Sequence, residues 1–449
     1  MTQLTLDVRL DGFTEPVGAL ARSEHGALAF AYTSAHLARA DAVPLSLSLL
    51  LTDEPYDDVI TRAFFDNLLQ ERDGALADVM AREGLTRDDI AGLLLHLGKD
   101  CAGALSVLPV GAPPVKVPGD LATDYTVLSE ERLVAIATAL RDRRRLPADT
   151  SDPSPLAGVQ SKIALTRLPD GRLAEPRPGT GAPTTHILKV PDRDHPRDAA
   201  YEAATLDLSR ALGFDTSEAA VIRIGDVEAL LVRRFDRALD RDGRVVRLHQ
   251  EDFAQALGLP AALKYERRGT PGRRFDAAAI RKVLDATVDP IGARDHFFRA
   301  TLFDLMTGNV DNHAKNFALL HIGRGRTVVA PRYDLLPTRL DANLTDELAF
   351  KIGAADTLAA ITKADLYVLL ETLDVRGAGR RRVSLRHTQA LAGGLCESLD
   401  ELTRKGMKLY ADLIAANLRQ LLPVLGAEVP PAARERDAFL DRGGGWLSS

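Results

Sequence analysis

Between Gly308 and Leu320 the chain reads GNVDNHAKNFALL, which places Asp311 and Asn316 on one loop as D-x-x-x-x-N. A carboxylate and an amide oxygen at this spacing suit phosphoryl transfer: the first can take the proton of an acceptor hydroxyl, and the second can bind magnesium. A second carboxylate, Asp334 in RYDLLPT, follows after a short apolar stretch. Magnesium takes hard oxygen ligands and keeps positions for phosphate oxygens, so Asn316 and Asp334 together fit a metal-bound triphosphate. Each residue alone could equally cap a turn or a helix; order and spacing carry the functional reading. His313 and Lys315 share the loop, His313 able to orient it and Lys315 able to face phosphate or solvent. No second histidine stands at ligand spacing and no HExxH occurs, which argues against a zinc site through His313.

Two upstream features fit the same chemistry. Lys189 in THILKVP lies in an apolar, β-branched run, where a charge is costly unless paired, and Glu202 on the following helix is its natural partner. A lysine on an edge strand, pointing to water, is the plain alternative. In LAGVQSK, Gly158 would let backbone amides approach phosphate oxygens, although the stretch is no Walker A. Three arginine-rich stretches, RDRRR from Arg141, RRGTPGRR from Arg267 and RGAGRRRVSLRH from Arg376, are solvated surface or contacts for a nucleic acid or an acidic protein.

The elements that must hold these groups are set by periodicity. Alternating Leu4, Leu6, Val8 and Leu10 predict a small strand meander, and DDVITRAFFDNLLQER then predicts a helix. Thr86 is the expected N-cap of the next helix, with Asp89 three residues on. Residues 1–110 read as one α+β unit, 111–153 as a linker with a helix, 154–250 as a mixed α/β part and 251–449 as a helical lobe. The helical lobe is interrupted by a hairpin from Phe317 to Val329 that delivers Asp334.

With 449 residues and 45% hydrophobic content the chain can bury a large core. A net charge of −6 gives no whole-molecule attraction to nucleic acid or anionic membrane. The two cysteines, Cys101 and Cys396, argue against a disulfide framework, and no signal peptide or membrane span is legible, so a cytoplasmic protein is expected.

VPLSLSLLL, FFDNLL, LLLHLGKDCAGAL, LAGVQSKIAL, TTHILKVP, VRRFDR, QEDFAQALGLPAALKYE, GNVDNHAKNF and YDLLPT, in this order, resemble the HipA family of bacterial serine/threonine kinases over nearly the whole chain. The resemblance implies a two-lobed α+β kinase fold similar to the phosphoinositide 3-kinase-like kinases, with a mixed N-lobe and an all-helical C-lobe. It implies Asp311 as catalytic base, Asn316 and Asp334 as Mg2+ ligands, and Lys189 on the ATP phosphates. By the same resemblance Ala157, Gly158, Val159, Gln160, Ser161 and Lys162 form the phosphate loop, and Arg233, Arg234 and Phe235 lie at the adenine hinge. It further implies a toxin of a toxin-antitoxin pair that phosphorylates an aminoacyl-tRNA synthetase, binds a small helix-turn-helix antitoxin and reaches operator DNA through that complex. Pro155 departs from the family, standing where an autophosphorylated serine is usual, so any modification in this loop is expected on Ser154, then Ser151. The alternatives are a weakly active or silent corepressor that binds antitoxin and DNA, and a small-molecule phosphotransferase.

Overall fold

The computed structural model describes residues 2–71, 73–143, 160–323, 325–375 and 378–436. Two compact units form, one from Met1–Ala199, Ser217–Ala261 and Ala318–Val328, the other from Ala200–Thr216, Ala262–Phe317 and Val329–Ser449.

The first unit begins with the expected meander. Strands β1 (Leu4–Leu10), β2 (Gly18–Arg22), β3 (Leu28–Tyr32) and β4 (Leu105–Pro109) pair antiparallel in the order β3-β2-β1-β4. Period-2 alternation sends Leu6, Val8 and Leu10 to one face, where they join Phe30 and, from helix Asp58–Asp66, Phe64 and Phe65 in a buried core. After a helix at Asp73–Glu83, helix Ile90–Leu97 is capped by Asp89 and not by Thr86. Asp89 accepts from the Gly92 N–H at 2.9 Å and holds Arg22 at 2.5 Å, so one carboxylate both caps the helix and neutralises a buried cation of β2.

A second sheet carries the upstream candidates. Strands β5 (Tyr125–Val127), β6 (Lys162–Arg167), β7 (Leu173–Pro176), β8 (His186–Lys189), β9 (Ala219–Ile224) and β10 (Val227–Arg233) run in the order β5-β7-β6-β8-β10-β9. Helix Glu130–Arg143 covers one face, setting Ile136, Ala137 and Leu140 against Ile163, Leu165, Leu188 and Val227. A buried ionic cluster ties the first subdomain to the turn after β10. Asp236 takes two Arg234 nitrogens at 2.9 Å and the Gly103 N–H at 3.0 Å, while Asp100 lies 3.2 Å from Arg247 and 3.4 Å from Lys116.

The Phe317–Val329 hairpin is present as strands Ala318–His321 and Thr327–Val329, and Gln250–Asp252 adds a third strand. Glu251 on that strand is fully buried and accepts from the Ser46 hydroxyl at 2.5 Å, the Leu47 N–H at 3.1 Å and His321 Nε2 at 3.1 Å. The His249 ring packs 4.5 Å from that of His321. Burial pushes the Glu251 carboxyl up to about 7, from an ordinary 4.5. A folded-state pKa above the unfolded one gives stability that is full below the unfolded value and is lost as pH rises through the folded value. Wild type should therefore lose stability relative to Glu251→Gln between pH 4.5 and 7, by on the order of 3 kcal/mol at most. Burial holds His249 near 3 and His321 near 4, both below that window, and both rings are common to wild type and variant. Urea midpoints of the two proteins that run parallel with pH would refute this reading of Glu251.

Helices dominate the second unit: Ala277–Asp285, Pro290–Thr307, Lys363–Thr372, Ala378–Arg404 and Lys408–Val424. Pro290–Thr307 is central, with Phe297, Phe298 and every residue from Ala300 to Thr307 buried as helices pack around it. The lobe is not all-helical: among the described residues it holds the hairpin Glu347–Ile352 with Ala355–Thr357, whose Phe350 packs against Phe275 and Phe297. No helix of the described residues is long and apolar enough to cross a membrane.

Candidate active site

The GNVDNHAKNF loop is launched by the central helix of the second unit. Asp289 caps that helix, Pro290 occupies its first turn, and Gly308 ends it in the left-handed region at φ 80. A side chain at Gly308 would place its Cβ 2.7 Å from Leu413 Cδ2, so it would have to displace the end of that side chain in addition to bearing the strain of φ.

One buried carboxylate organises the chain on both sides of the hairpin. Asp304, on the last turn of the helix, pairs with Arg332 and accepts from Asn309 Nδ2 at 3.4 Å and Asn312 Nδ2 at 3.3 Å. Arg332 stands two positions before Asp334, donates from Nη1 to Ser209 Oγ at 3.2 Å and lies over the rings of Phe214 and Phe303. Asp304 thus fixes the start of the Asp311 loop and the start of the Asp334 segment at once.

The loop is wound tightly. The Asp311 carbonyl accepts from the His313 N–H and from Asn316 Nδ2, both at 2.8 Å. With its nitrogen so engaged, the Asn316 amide presents its oxygen as the end a cation can use. The Ala314 N–H donates to the Lys264 carbonyl at 3.1 Å, which brings the KYE segment alongside, and the Tyr265 hydroxyl donates to Asp311 Oδ1 at 2.6 Å. The Tyr265 ring meets His313 edge-on at 5.1 Å, which gives His313 a packing role.

Burial pushes the Asp311 carboxyl up, the Tyr265 hydrogen bond and the Lys264 charge pull it down, and the Asp334 charge pushes it up again. The two carboxylates therefore feel each other. Asp334 adopts φ 58, a left-handed conformation rare outside glycine, and the Tyr333 hydroxyl beside it donates to the Lys315 carbonyl at 2.7 Å. Asp334 and Asn316 carry hard oxygen donors of the kind Mg2+ takes.

The other candidates divide between the units. In the first unit Lys189 is buried on β8, directly opposite Lys162 on β6. Like charges directly opposite on a ladder are unfavourable in themselves, so this pair draws negative charge to this part of the sheet. Gln160 and Ser161 precede Lys162, and the Ser161 carbonyl accepts from the Val190 N–H at 2.9 Å. Ala157, Gly158, Val159, Ser151 and Ser154 lie outside the described residues. At the turn after β10, the Arg233 and Arg234 N–H groups donate to the Glu218 and Thr185 carbonyls, and the Arg234 side chain is buried against Asp236. Arg233 is exposed beside Glu218. Glu202 is buried within the second unit.

Sequence reasoning missed Asp304, Arg332, Tyr265 and Lys264 as parts of the site. Asp304 had a signal: a carboxylate in the apolar run LFDLM is costly without partners.

Residues 154–391 match the HipA-like C-terminal domain family, and residues 6–108 match the HipA N-terminal domain family. The putative kinase Y4mE of Sinorhizobium fredii is 38% identical over 361 residues, covering 80% of this chain and 83% of that protein. The serine/threonine-protein kinase toxin HipA of Shewanella oneidensis is 28% identical, covering 64% of this chain and 66% of its own. Among solved structures, the complex of Shewanella oneidensis HipA, HipB and operator DNA aligns with a TM-score of 0.76 at 23% identity, covering 96% of this chain and 100% of that one.

Proposed function

The chain belongs to the HipA family of serine/threonine kinases, and on that premise we propose that it transfers the γ-phosphoryl group of ATP to a serine or threonine of a protein, as the toxin of a toxin-antitoxin pair. The observation that carries this is the Asp311 carboxylate, half-buried, held by Tyr265 at 2.6 Å and close enough to Asp334 to feel its charge. Asp311 accepts the proton of the acceptor hydroxyl as that oxygen bonds to the γ-phosphorus and the bond to ADP breaks. Its raised pKa makes it the stronger base. Asn316 and Asp334 would hold Mg2+, which would supply neutralisation of phosphate charge. Lys189 and Lys162 would face the phosphates, the 157–162 stretch would form the phosphate loop, and the backbone of Arg233 to Phe235 would border adenine. Lys315 and His313 support the loop.

In this reading the fold is related to the phosphoinositide 3-kinase-like kinases, the protein substrate is an aminoacyl-tRNA synthetase, and a HipB-type helix-turn-helix antitoxin carries the complex to operator DNA. Support for the antitoxin comes from the likeness to a chain solved with HipB and DNA. Phosphorylation within the chain would fall on Ser154 or Ser151.

The test is γ-labelled ATP with purified protein and a cell lysate. A labelled protein band that depends on Mg2+ is expected, and absence of any transfer would refute the kinase reading in favour of a silent corepressor. Asp334→Ala should weaken Mg2+-dependent nucleotide binding at least ~10-fold; unchanged binding by calorimetry would remove Asp334 from the metal site.

A further inference from the structure

One of the arginine-rich stretches lies against the catalytic loop. Residues 264–276 carry five cations, Lys264, Arg267, Arg268, Arg273 and Arg274, against two acids, Glu266 and Asp276. The segment is anchored at several points. The Lys264 carbonyl accepts from Ala314 N–H at 3.1 Å, Glu266 Oε2 accepts from Lys351 N–H at 2.6 Å, and Thr270 and Arg273 exchange backbone hydrogen bonds at 3.1 and 2.9 Å. Two of its arginines are partly neutralised, Arg267 by Glu347 at 3.3 Å and Arg274 by Asp276 at 2.6 Å. Arg268 and Arg273 are exposed.

Position gives this charge its meaning. The Arg267 and Arg268 guanidinium carbons lie 4.1 and 5.9 Å from the Tyr265 ring centroid, and the hydroxyl of that ring sits on Asp311 Oδ1 at 2.6 Å. The positive rim therefore begins within one side chain of the atom that takes the acceptor proton. An extended polypeptide advances ~3.3 Å per residue, so residues two to four positions from a serine held at Asp311 can reach this rim. The molecule that would bring a serine hydroxyl to Asp311 in a protein kinase is a polypeptide, and this rim lies within its reach.

We propose that Arg268 and Arg273, with Arg267 and Lys264 behind them, dock an acidic stretch of the protein substrate that flanks the phosphorylated serine or threonine. The proposal rests on the kinase reading and adds the charge of the substrate segment to it.

The experiment measures fluorescence anisotropy of two labelled peptides of equal length, one with its serine flanked by glutamates and one with it flanked by lysines. Wild type is loaded with Mg2+ and a non-hydrolysable ATP analogue. The glutamate peptide should bind at least ~10-fold more tightly at about 0.15 M salt and weaken as salt is added. R268E/R273E should lose at least ~10-fold of that affinity, while R268K/R273K retains it and both variants keep wild-type nucleotide affinity. Equal affinity for the two peptides, no binding of the glutamate peptide, or a charge reversal without effect would overturn the proposal. So would a single-stranded RNA that binds more tightly than the glutamate peptide and is lost in R268E/R273E, which would assign the rim to nucleic acid. Failure of the kinase reading itself is read separately, from the absence of labelled transfer by wild type.

Discussion

Asp311→Ala should abolish phosphoryl transfer, a loss of ~10² to 10⁴ in rate, while nucleotide affinity stays close to that of wild type. The expectation rests on geometry as well as residue type. Asp311 is held by the Tyr265 hydroxyl at one carboxylate oxygen, and its backbone carbonyl is fixed by His313 and Asn316. A base positioned this way cannot be replaced by a neighbour without rebuilding the loop. Asn316 and Asp334 remain in the variant, so the oxygens assigned to Mg2+ persist and nucleotide should still bind. Single-turnover transfer from labelled ATP, with binding followed by calorimetry, checks both halves. Equal transfer by wild type and Asp311→Ala would overturn the assignment of the base.

Asp304→Ala is expected to destabilise the protein by ~3 to 5 kcal/mol, because it leaves the buried Arg332 guanidinium without its countercharge. The same change removes the acceptor for Asn309 and Asn312, and with it the link between the Asp311 loop and the segment that leads to Asp334. Activity should fall with stability, although Asp304 itself is a positioning residue. Asp304→Asn keeps an acceptor oxygen of the same shape and loses only the charge, so it should recover part of the loop order. Urea unfolding of wild type and both variants, followed by their Mg2+ titrations in the presence of nucleotide, separates the two effects. An alanine variant with wild-type stability would show that the Asp304 and Arg332 pair does not hold the site together.

Much of this protein was legible in its residue order. Leu6, Val8 and Leu10 alternate as β1 does, the apolar run of Phe297 to Met306 forms the buried helix, and Phe317 to Val329 folds as the predicted hairpin. The D-x-x-x-x-N spacing, Asp334 beyond the hairpin and Lys189 in a strand were readable for the same reason: short-range periodicity and spacing are properties of the chain itself. The displaced helix cap shows where local reading fails. Thr86 and Asp89 are both good caps by type, and Asp89 prevails because Arg22, far away in sequence, needs its charge.

The long-range partnerships could come only from the tertiary structure. Tyr265 reaches Asp311 across 46 positions, Arg332 reaches Asp304 across 28, and Ser46 reaches Glu251 across 205. Burial decides such pairs, since a charge or hydroxyl removed from water must find a partner wherever the fold brings one. The φ of 58 at Asp334 is of the same kind: aspartate has no preference strong enough to announce it, and the surrounding contacts must hold it there. Residue types and spacing thus named the chemistry, and folding chose the groups that aim it, because aiming depends on neighbours in space.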